Sequence, residues 1–575
     1  IAILISAVVS LTLTPMMCSR LLLAQKEEKS NAFFERTEGF FKSMLDAYER
    51  SLKWVLARQR LTLNATIAIL AATIALYALV PKELLPQQDT GMIIGVTDAS
   101  PSISFRAMAE RQMEVAEIVR RDPDVAGVAS FVGAGPVNAT QNSGRLYISL
   151  KDLGDRDASA AEVMARLRDA TASIEGISLF MQAVQDVQID SRASRTQYQF
   201  TLQDADAAEL AEWSVRMLEK LRSLPELSDV ASDSQEGALQ VRVEVDRVRA
   251  SRFNVPVASI DNTLYDAFGQ RQVATLFTQL NQYRVVLEVA PAFQVSPADL
   301  ERLRVKSTTG DMVPLSSIAT FSIGTAPLSI AHEDQFPAVT LSFNMAGGVP
   351  LGDGVKAIEK AADDIGLPAS VARSFSGSAE EFRSSLSNEL FLILAAIVVI
   401  YIVLGVLYES YIHPLTILSS LPSAGVGALA AMILFDTPLS LISLIGIILL
   451  IGIVKKNAIM MIDFALEAER TRGLSAEASI FEACILRFRP IMMTTMAALL
   501  GAIPLAVGSG SGSELRRPLG IAIVGGLVLS QFLTLYTTPV IYLYLDRLSV
   551  RMRRWRLSNA ETVPESAAAE APNEQ

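Results

Sequence analysis

Long apolar runs dominate the hydrophobic pattern of this chain. Seven of them reach about 20 residues, the length at which an α-helix crosses a bilayer. They lie at residues 1–19, 62–80, 387–408, 413–435, 440–464, 490–508 and 518–545. The pattern predicts a polytopic α-helical membrane protein in which one span precedes a polar linker and six spans follow it.

The linker at 20–61 places aromatic and aliphatic residues among charges at helical spacing. This pattern is typical of an amphipathic helix on a membrane surface. A solvent-exposed connecting helix has the same pattern, and both interpretations stay open. At the other end of the chain, residues 546–575 lead into a stretch rich in Ala, Glu and Pro, which predicts a disordered cytoplasmic tail.

Strand-like and helix-like patterns alternate at 81–386, between the second and third spans. A first cycle runs from GMIIGVTDA to ISLFMQAVQ, and a second runs from TQYQFTL through DAAELAEWSVRMLEKLRS to ALQVRVEV. Two such cycles predict a large α+β region with two ferredoxin-like (split βαβ) subdomains. At about 248–325, two β runs flank QLNQ, which predicts an inserted subdomain with a projecting hairpin.

Composition agrees with a membrane protein and excludes several classes of function. The 575 residues are 50% hydrophobic, with a mean hydropathy of +0.34 and a net charge of -11. The acidic balance disfavours a nucleic-acid partner. Two cysteines give no disulfide framework, two histidines give no metal cluster, and the sequence carries no motif for nucleotide binding or nucleophilic catalysis. We expect a protein that is not an enzyme and uses no cofactor.

The basic residues predict the orientation in the membrane. Lysines and arginines cluster in the linker, after the span at 440–464 and after the last span, whereas Arg516 and Arg517 lie in an opposite loop. The three clusters share one side, which we interpret as cytoplasmic, so residues 81–386 lie on the outer side. The chain opens at Ile1 inside an apolar run without a basic region, so we expect a fragment rather than a signal peptide.

The span around residues 441–470 carries charges near its middle, in GIVKKNAIMMIDF. A lysine deep in hydrocarbon costs roughly 2.5 kcal/mol or more, and such residues usually face a protein interior or a water path. Lys455 and Lys456 therefore have two interpretations: a functional membrane charge, or lysines that reach up to an interface. Asp463 follows Lys456 by seven residues on the same face, but it lies beside Glu467 and Arg470, which favours interfacial pairing.

Several stretches together resemble the resistance-nodulation-division (RND) multidrug efflux permeases, the AcrB-like inner-membrane pumps. They are LVPKELLPQQDTGMIIG, TGDMVPLSSIAT, VLGVLYESYIHP, GIVKKNAIMMIDFALEAER and LRFRPIMMTTMAALLGAIPL. The wording of GSGSGSELRRPLGIAIVGG is most similar to the MdtB/MdtC kind, which works as mixed trimers. The resemblance implies the last span of a first half at 1–19 followed by a whole second half, with the paired membrane aspartates of the first half outside this sequence.

The resemblance also implies site residues. Lys456 matches the family's membrane lysine of the proton relay, Arg487 and Thr494 match relay positions on the following span, and Asn457 is a weaker candidate. Lys455 has no counterpart in much of the family and receives no role. For the substrate, the resemblance implies a pocket lined by Phe131, Tyr147 and Phe180, although each aromatic residue taken alone is more typical of a core position than of a pocket.

The resemblance implies a proton/drug antiporter of the bacterial inner membrane. Its partners would be membrane lipid, amphiphilic substrates, a periplasmic adaptor, an outer-membrane channel and further copies or homologous subunits in a trimer. Two alternatives remain. An RND heavy-metal exporter would need clustered methionines in the soluble cleft, where this chain has them dispersed. A non-transporting membrane scaffold or protein-export helper would not need a lysine–asparagine pair at mid-membrane.

Overall fold

The computed structural model describes residues 1–21, 32–135, 138, 140–189 and 194–560. The chain forms two compact units, one made of Ile1–Pro86 with Ser384–Gln575 and the other of Gln87–Arg383. We call them the membrane unit and the α/β unit. Within the described residues, seven helices are long and apolar enough to cross a membrane, and all seven belong to the membrane unit.

Three helices begin the membrane unit: α1 (Ala2–Leu21), α2 (Ala32–Ala57) and α3 (Gln59–Leu79). Helices α1 and α3 are of spanning type, whereas α2 lies in the predicted linker, whose residues 22–31 are outside the described part. The inner face of α2 buries Tyr48 and Leu52. The Tyr48 ring stacks on Phe488 at 4.7 Å, and its hydroxyl donates to the Leu535 carbonyl oxygen at 2.9 Å. Helix α2 is therefore packed onto the bundle rather than being free on both sides.

The α/β unit begins with a four-stranded antiparallel sheet. Its elements are β1 (Met92–Ala99), α4 (Phe105–Arg120), β2 (Val125–Val132), β3 (Ser143–Leu150), α5 (Ala160–Thr171) and β4 (Ile177–Ala183). The strand order is β2-β3-β1-β4, with β-α-β-β-α-β connectivity. One face of this first sheet buries Ile93, Leu146 and Met181 in a core with α4 and α5. Because side chains alternate along a strand, their neighbours lie on the other face, which we call the open face.

A second sheet starts with β5 (Tyr198–Gln203), α6 (Ala207–Arg222) and β6 (Leu227–Ser232). An insertion follows β6. Its elements are β7 (Ala238–Val245), α7 (Arg247–Arg252), α8 (Val257–Phe268), β8 (Arg271–Phe277), β9 (Gln282–Leu287), β10 (Arg304–Lys306), β11 (Met312–Pro314) and β12 (Ala319–Ala326). Strands β8 and β9 form a separate hairpin, and a small core around Val305 and Ile318 holds the insertion together.

The chain then returns to the second sheet with β13 (His332–Glu333), β14 (Phe336–Met345), α9 (Leu351–Asp364) and β15 (Ala372–Ser376). The order is β13-β14-β5-β15, and β6 pairs with β14. Apart from the insertion and β13, this repeats the connectivity of the first sheet. Side-chain oxygens of Ser104, Ser159 and Asp206 accept the first backbone N–H groups of α4, α5 and α6, which fixes where those helices begin.

The sequence interpretation places ALQVRVEV in the second cycle, ahead of the insertion, and this placement is wrong. This segment is β7, and it pairs along its length with β12 inside the insertion. The strand that joins β14 is β6, which reads LSDVAS and has little apolar signal because of its Ser and Asp residues. The insertion accordingly runs from Ala238 to Ala326, where the sequence predicts about 248–325.

Six helices complete the membrane unit: α10 (Ser378–Tyr408, its first six residues in the α/β unit), α11 (His413–Leu418), α12 (Leu421–Leu434), α13 (Leu441–Arg472), α14 (Ala476–Val507) and α15 (Ser513–Ala560). Helices α11 and α12 together make one of the seven candidate spans, His413–Leu434. Helices α12 and α15 approach closely through glycines: a Cβ on Gly427 would lie 2.6 Å from the Gly525 carbonyl oxygen.

Helix α15 continues to Ala560, so residues 546–560 of the predicted disordered tail are helical. Residues 561–575 lie outside the described part.

Candidate functional site

One exposed face of α13 carries Lys456. Residues three or four positions apart share a face of a helix. From Leu441 to Asp463, the exposed residues of α13 are Leu441, Ile445, Leu449, Gly452, Lys456 and Asp463. Lys456 is thus a charge at mid-span on a largely apolar face, and the described part of the chain provides it with no ion pair. Asp463 lies seven residues further along, a rise of about 10 Å.

Asn457, about 100° further around the helix, points into the bundle. Its amide nitrogen donates to Thr495 Oγ1 at 3.1 Å and to Gln531 Oε1 at 3.3 Å. Thr495 Oγ1 also donates to Gln531 Oε1, at 2.6 Å. All three side chains are buried, and they join α13, α14 and α15. We call Asn457, Thr495 and Gln531 the polar triad; it fixes the rotation of α13 about its axis, and with it the direction of Lys456.

The triad contains Thr495, whereas the resemblance assigns the relay position to its neighbour Thr494. One residue turns a helix by about 100°, so neighbouring threonines face different surroundings. The hydroxyl of half-buried Thr494 donates to the Ile491 carbonyl oxygen of its own helix at 3.1 Å. The motif match cannot distinguish the two threonines. A signal for Gln531 does exist in the sequence, since an amide within the apolar run VLSQFLTL needs a hydrogen-bond partner.

Arg487 lies on α14, half-buried, with its guanidinium carbon 5.0 Å from the centre of the Phe464 ring. Its Nε is buried and has no hydrogen-bond partner in the described part of the chain. Phe464 is eight residues beyond Lys456 on α13, about 12 Å along the helix axis. Among the described residues, Lys456, Arg487 and Thr494 are therefore not joined to one another by hydrogen bonds, and a cation–π contact holds Arg487 to α13.

The three aromatic candidates all lie on the open face of the first sheet. Phe131 and Phe180 stand in the same cross-strand row, with Arg145 and Val96 between them. Tyr147 is in the next row, and its ring meets that of Phe131 edge-on, with the ring centres 5.9 Å apart. Successive strands are about 4.8 Å apart, so Phe131 and Phe180 are roughly 14 Å apart across the sheet.

A cavity of about 240 Å³ opens beside these residues, within the α/β unit. The open face contributes Ile94, Arg145 and Gln182, and segments of the second sheet and its approach contribute Thr196, Gln199 and others. The three aromatic residues are absent from this lining and flank it. Buried Arg145 Nε and Thr196 Oγ1 have no hydrogen-bond partner in the described residues. The lining is a mixture of amides, hydroxyls, branched aliphatic groups and one guanidinium, which suits a ligand with apolar and polar parts.

A polar cluster joins the two sheets near the open face. The Arg195 guanidinium lies 3.3 Å from an Asp98 carboxylate oxygen, and the Gln235 amide donates to the same oxygen at 3.3 Å. Burial raises the pKa of Asp98 above its usual range, and Arg195 and Gln235 only partly offset this effect. Arg195 therefore links the two sheets, and it adds a positive charge on the side of the first sheet that carries Arg145.

The hairpin of β8 and β9 exposes a continuous apolar surface. Leu276, Phe277, Leu280 and Tyr283 are all more than half exposed, with Leu280 at 91% beside the turn. Exposed apolar surface of this extent on a strand pair is typical of an interaction site. This agrees with the hairpin predicted around QLNQ, and the structure describes nothing that covers it.

Comparisons with known proteins give one family and one fold. A model of the AcrB/AcrD/AcrF family matches residues 1–546. Two X-ray crystal structures of a heavy metal efflux pump, in crystal forms I and II, match with a TM-score of 0.78 and 22% identity over 88% of this chain. The chain covers 53% of one matched pump chain and 52% of the other, so it spans about half their length. At this identity the match shows the fold and leaves the substrate open.

Proposed function

The chain belongs to the AcrB/AcrD/AcrF family of RND transporters, and from that premise we propose that it is part of a proton-driven exporter of amphiphilic organic compounds. We further propose the finer assignments that the resemblance implies: the MdtB/MdtC kind, a trimer in the bacterial inner membrane, and split-βαβ subdomains. The β-α-β-β-α-β connectivity of both sheets supports the last of these.

The observation that carries the proposal is Lys456 on the exposed face of α13. A charged lysine at mid-span costs roughly 2.5–3.5 kcal/mol, and nothing in an isolated apolar helix offsets this cost. A carboxylate on a membrane segment packed against this face offsets that cost by favouring the charged amine. When a proton neutralises the carboxylate, the lysine is released, and a two-state switch of this kind moves helices. Coupling of export to protons follows from such an exchange.

Asn457 supports Lys456 in this scheme through the polar triad. Arg487 and Thr494 complete the proposed relay on α14, where Arg487 lies nearer the cytoplasmic end. Because Arg487 has a buried Nε without a partner in the described chain, it is available to a further acceptor. Lys455, half-buried on a neighbouring face, has no assigned part.

For the substrate, we propose that Phe131, Tyr147 and Phe180 form an aromatic wall at the edge of the cavity in the α/β unit. Aromatic surface beside a few polar groups binds varied amphiphiles, since stacking and apolar contact tolerate different shapes. The partners proposed for such a pump are a periplasmic adaptor and an outer-membrane channel. The exposed β8–β9 hairpin is the surface proposed to dock them.

Heavy-metal export is the second candidate, because the similar solved structures are of a heavy metal efflux pump. Soft metal ions bind thiolate and thioether ligands. The cavity lining offers amides, hydroxyls and aliphatic groups in their place, which favours organic substrates.

Transport in proteoliposomes tests this proposal. The transporter that carries these residues is reconstituted into proteoliposomes, which are supplied either with a lipophilic cationic dye or with monovalent copper. A pH gradient is then imposed across the membrane. We expect gradient-dependent movement of a lipophilic cationic dye and no movement of the metal. Metal transport without dye transport would replace the proposal with the second candidate, and transport of neither would favour a non-transporting scaffold.

A further inference from the structure

A basic cavity lies in the membrane unit where α2 meets α3, beside the last turns of the α15 span. Its volume is about 450 Å³, and it is open on one side. Three arginines line it, Arg58 and Arg60 from the junction of the two helices and Arg547 from α15. Tyr544, Leu56 and Leu61 contribute an aromatic ring and apolar groups to the wall. The proposed transport mechanism uses none of these residues.

The positive charge of the cavity is not neutralised by the described part of the chain. No carboxylate of the described residues lies within ion-pair distance of the three guanidinium groups. The Arg58 guanidinium carbon is instead 4.7 Å from the centre of the Trp54 ring, and that of Arg547 is 5.8 Å from the centre of the Tyr544 ring. A guanidinium group stacked on a ring keeps its N–H edge free for planar recognition of phosphate or carboxylate.

The first turn of α3 adds to the same anion-binding character. Arg58 is the N-cap of α3, and its side chain makes no capping hydrogen bond. The first amides of a helix have no partner within the helix, and they attract anions. The Leu61 and Thr62 amides donate to the Arg58 carbonyl oxygen, so it is the remaining first-turn amides and the arginines that favour the same kind of ligand, which is a phosphate group.

The position of the cavity favours a lipid headgroup over a soluble anion as its ligand. Helix α3 is a membrane span that begins at Gln59, and the apolar run within α15 ends at residue 545, two residues before Arg547. The three arginines therefore lie at the end of two spans, at the level of the headgroups. Trp54 and Tyr544 are of the residue types that concentrate at this level, and exposed Leu61 adds apolar surface to the cavity wall. Basic pockets between spans on the cytoplasmic side bind anionic headgroups.

We propose that this cavity binds the phosphate of an anionic phospholipid headgroup. The site ties the amphipathic helix α2 to the spans α3 and α15 through a lipid molecule. This inference depends on the cavity alone and stands whether or not the chain exports amphiphiles.

Native mass spectrometry of the full chain in detergent tests the site. The protein is titrated separately with phosphatidylglycerol, with phosphatidylcholine and with inorganic phosphate. Arg547→Gln removes one charge from the cavity, and Arg551→Gln removes one charge from the same end of the same helix outside it. We expect Arg547→Gln to weaken phosphatidylglycerol binding about fivefold and Arg551→Gln to change it less than twofold. Arg547→Lys keeps the charge but loses the planar guanidinium edge, so its binding should lie between that of the parent and that of Arg547→Gln, and a parent-like unfolding midpoint of each variant controls for folding.

Three results would overturn the proposal. Equal effects of Arg547→Gln and Arg551→Gln would mean that the basic surface as a whole attracts lipid. Equal affinity for phosphatidylcholine would mean that anionic charge is not recognised. Displacement of phosphatidylglycerol by inorganic phosphate at similar concentration would assign the site to a soluble anion.

Discussion

The buried polar triad decides which way α13 presents its charged residues. Asn457 and Lys456 are adjacent in sequence, yet one donates to Thr495 and Gln531 inside the bundle and the other is exposed. A buried amide in a membrane interior has few alternative partners, so its bonds constrain the helix rotation. At this scale, a single hydrogen-bonded residue positions the lysine to which the proposed function is assigned.

Asn457 and Gln531 should therefore be energetically coupled. We expect a double-mutant cycle of Asn457→Ala and Gln531→Ala to give a coupling of about 0.6–1.7 kcal/mol, the range for hydrogen bonds between membrane helices. Thermal unfolding in detergent measures it. Ser530→Ala is the matched control, because Ser530 bonds to Ser423 and Thr534 and should show no coupling to Asn457. Equal coupling of Asn457 to Ser530 would contradict the triad.

Asp89 should make the first sheet sensitive to acid. Partial burial raises the pKa of Asp89, but bonds from the Arg156 guanidinium and from the Ala160 and Gly91 amides outweigh it, so the pKa lies below its usual value. The stabilisation is present above the unfolded pKa of about 3.9, and it is lost as pH falls through the lower folded pKa.

We accordingly expect Asp89→Asn to speed hydrogen–deuterium exchange of α5 in the full chain at pH 7. The difference from the parent should vanish in strong acid, where the parent carboxylate is also protonated. Asp157→Asn, at an exposed position nearby, serves as the control and should leave exchange unchanged. An Asp89→Asn effect that persists at the lowest pH would show that charge is not its cause.

The sequence assigns Lys456, Arg487 and Thr494 to the relay, and this assignment stays a prediction. Lys456 and Arg487 follow from motif and depth, whereas the choice between Thr494 and Thr495 requires the rotation of α14, which a motif match does not contain. Gln531 is missed because it lies outside the matched motifs, although its polarity in an apolar run is visible. Ile94 and Gln182 line the cavity because of sheet register, which depends on pairings distant in sequence.

At the scale of elements, glycines determine how closely α12 and α15 pack. A Cβ on Gly427 would meet the Gly525 backbone oxygen at 2.6 Å, and backbone cannot move aside as a flexible side chain can. We expect Gly427→Ala to destabilise the membrane unit by about 1–3 kcal/mol. Gly501→Ala in α14 is the control, since a Cβ there would meet nothing within 4 Å. Thermal unfolding in detergent compares the two, and equal midpoints would refute the close-packing account.

The spanning helices show how much of the secondary structure the hydrophobic pattern alone predicts. Apolar runs identify every spanning helix in the described residues, because a helix that crosses the hydrocarbon core of a bilayer needs about 20 predominantly apolar residues. The strands are less certain, since β7 pairs inside the insertion and β6, which the sequence does not predict as a strand, pairs with β14. Strand β7 has the better strand pattern, but long-range pairing with β12 decides its sheet, and no local pattern encodes that pairing.

For the whole molecule, the account assigns substrate contact to the α/β unit and proton coupling to the membrane unit. We expect Tyr147→Ala and Phe180→Ala to lower export of bulky amphiphiles severalfold while leaving expression unchanged, because they remove the aromatic wall. Phe253→Ala, at an exposed aromatic position of the insertion, is the matched control and should export normally. Minimum inhibitory concentrations in cells that depend on the transporter report the effect, and normal resistance in all three variants would refute the assigned wall.

The most direct measurement compares two adjacent lysines in proton-coupled export. In the transporter that carries these residues, Lys456→Ala removes the charge on the exposed face of α13, and Lys455→Ala removes an equal charge from its half-buried neighbour. The account predicts that Lys456→Ala abolishes dye export driven by a pH gradient, with expression and oligomeric assembly intact, and that Lys455→Ala retains most of it. Export retained in Lys456→Ala, or lost equally in both variants, would contradict the account.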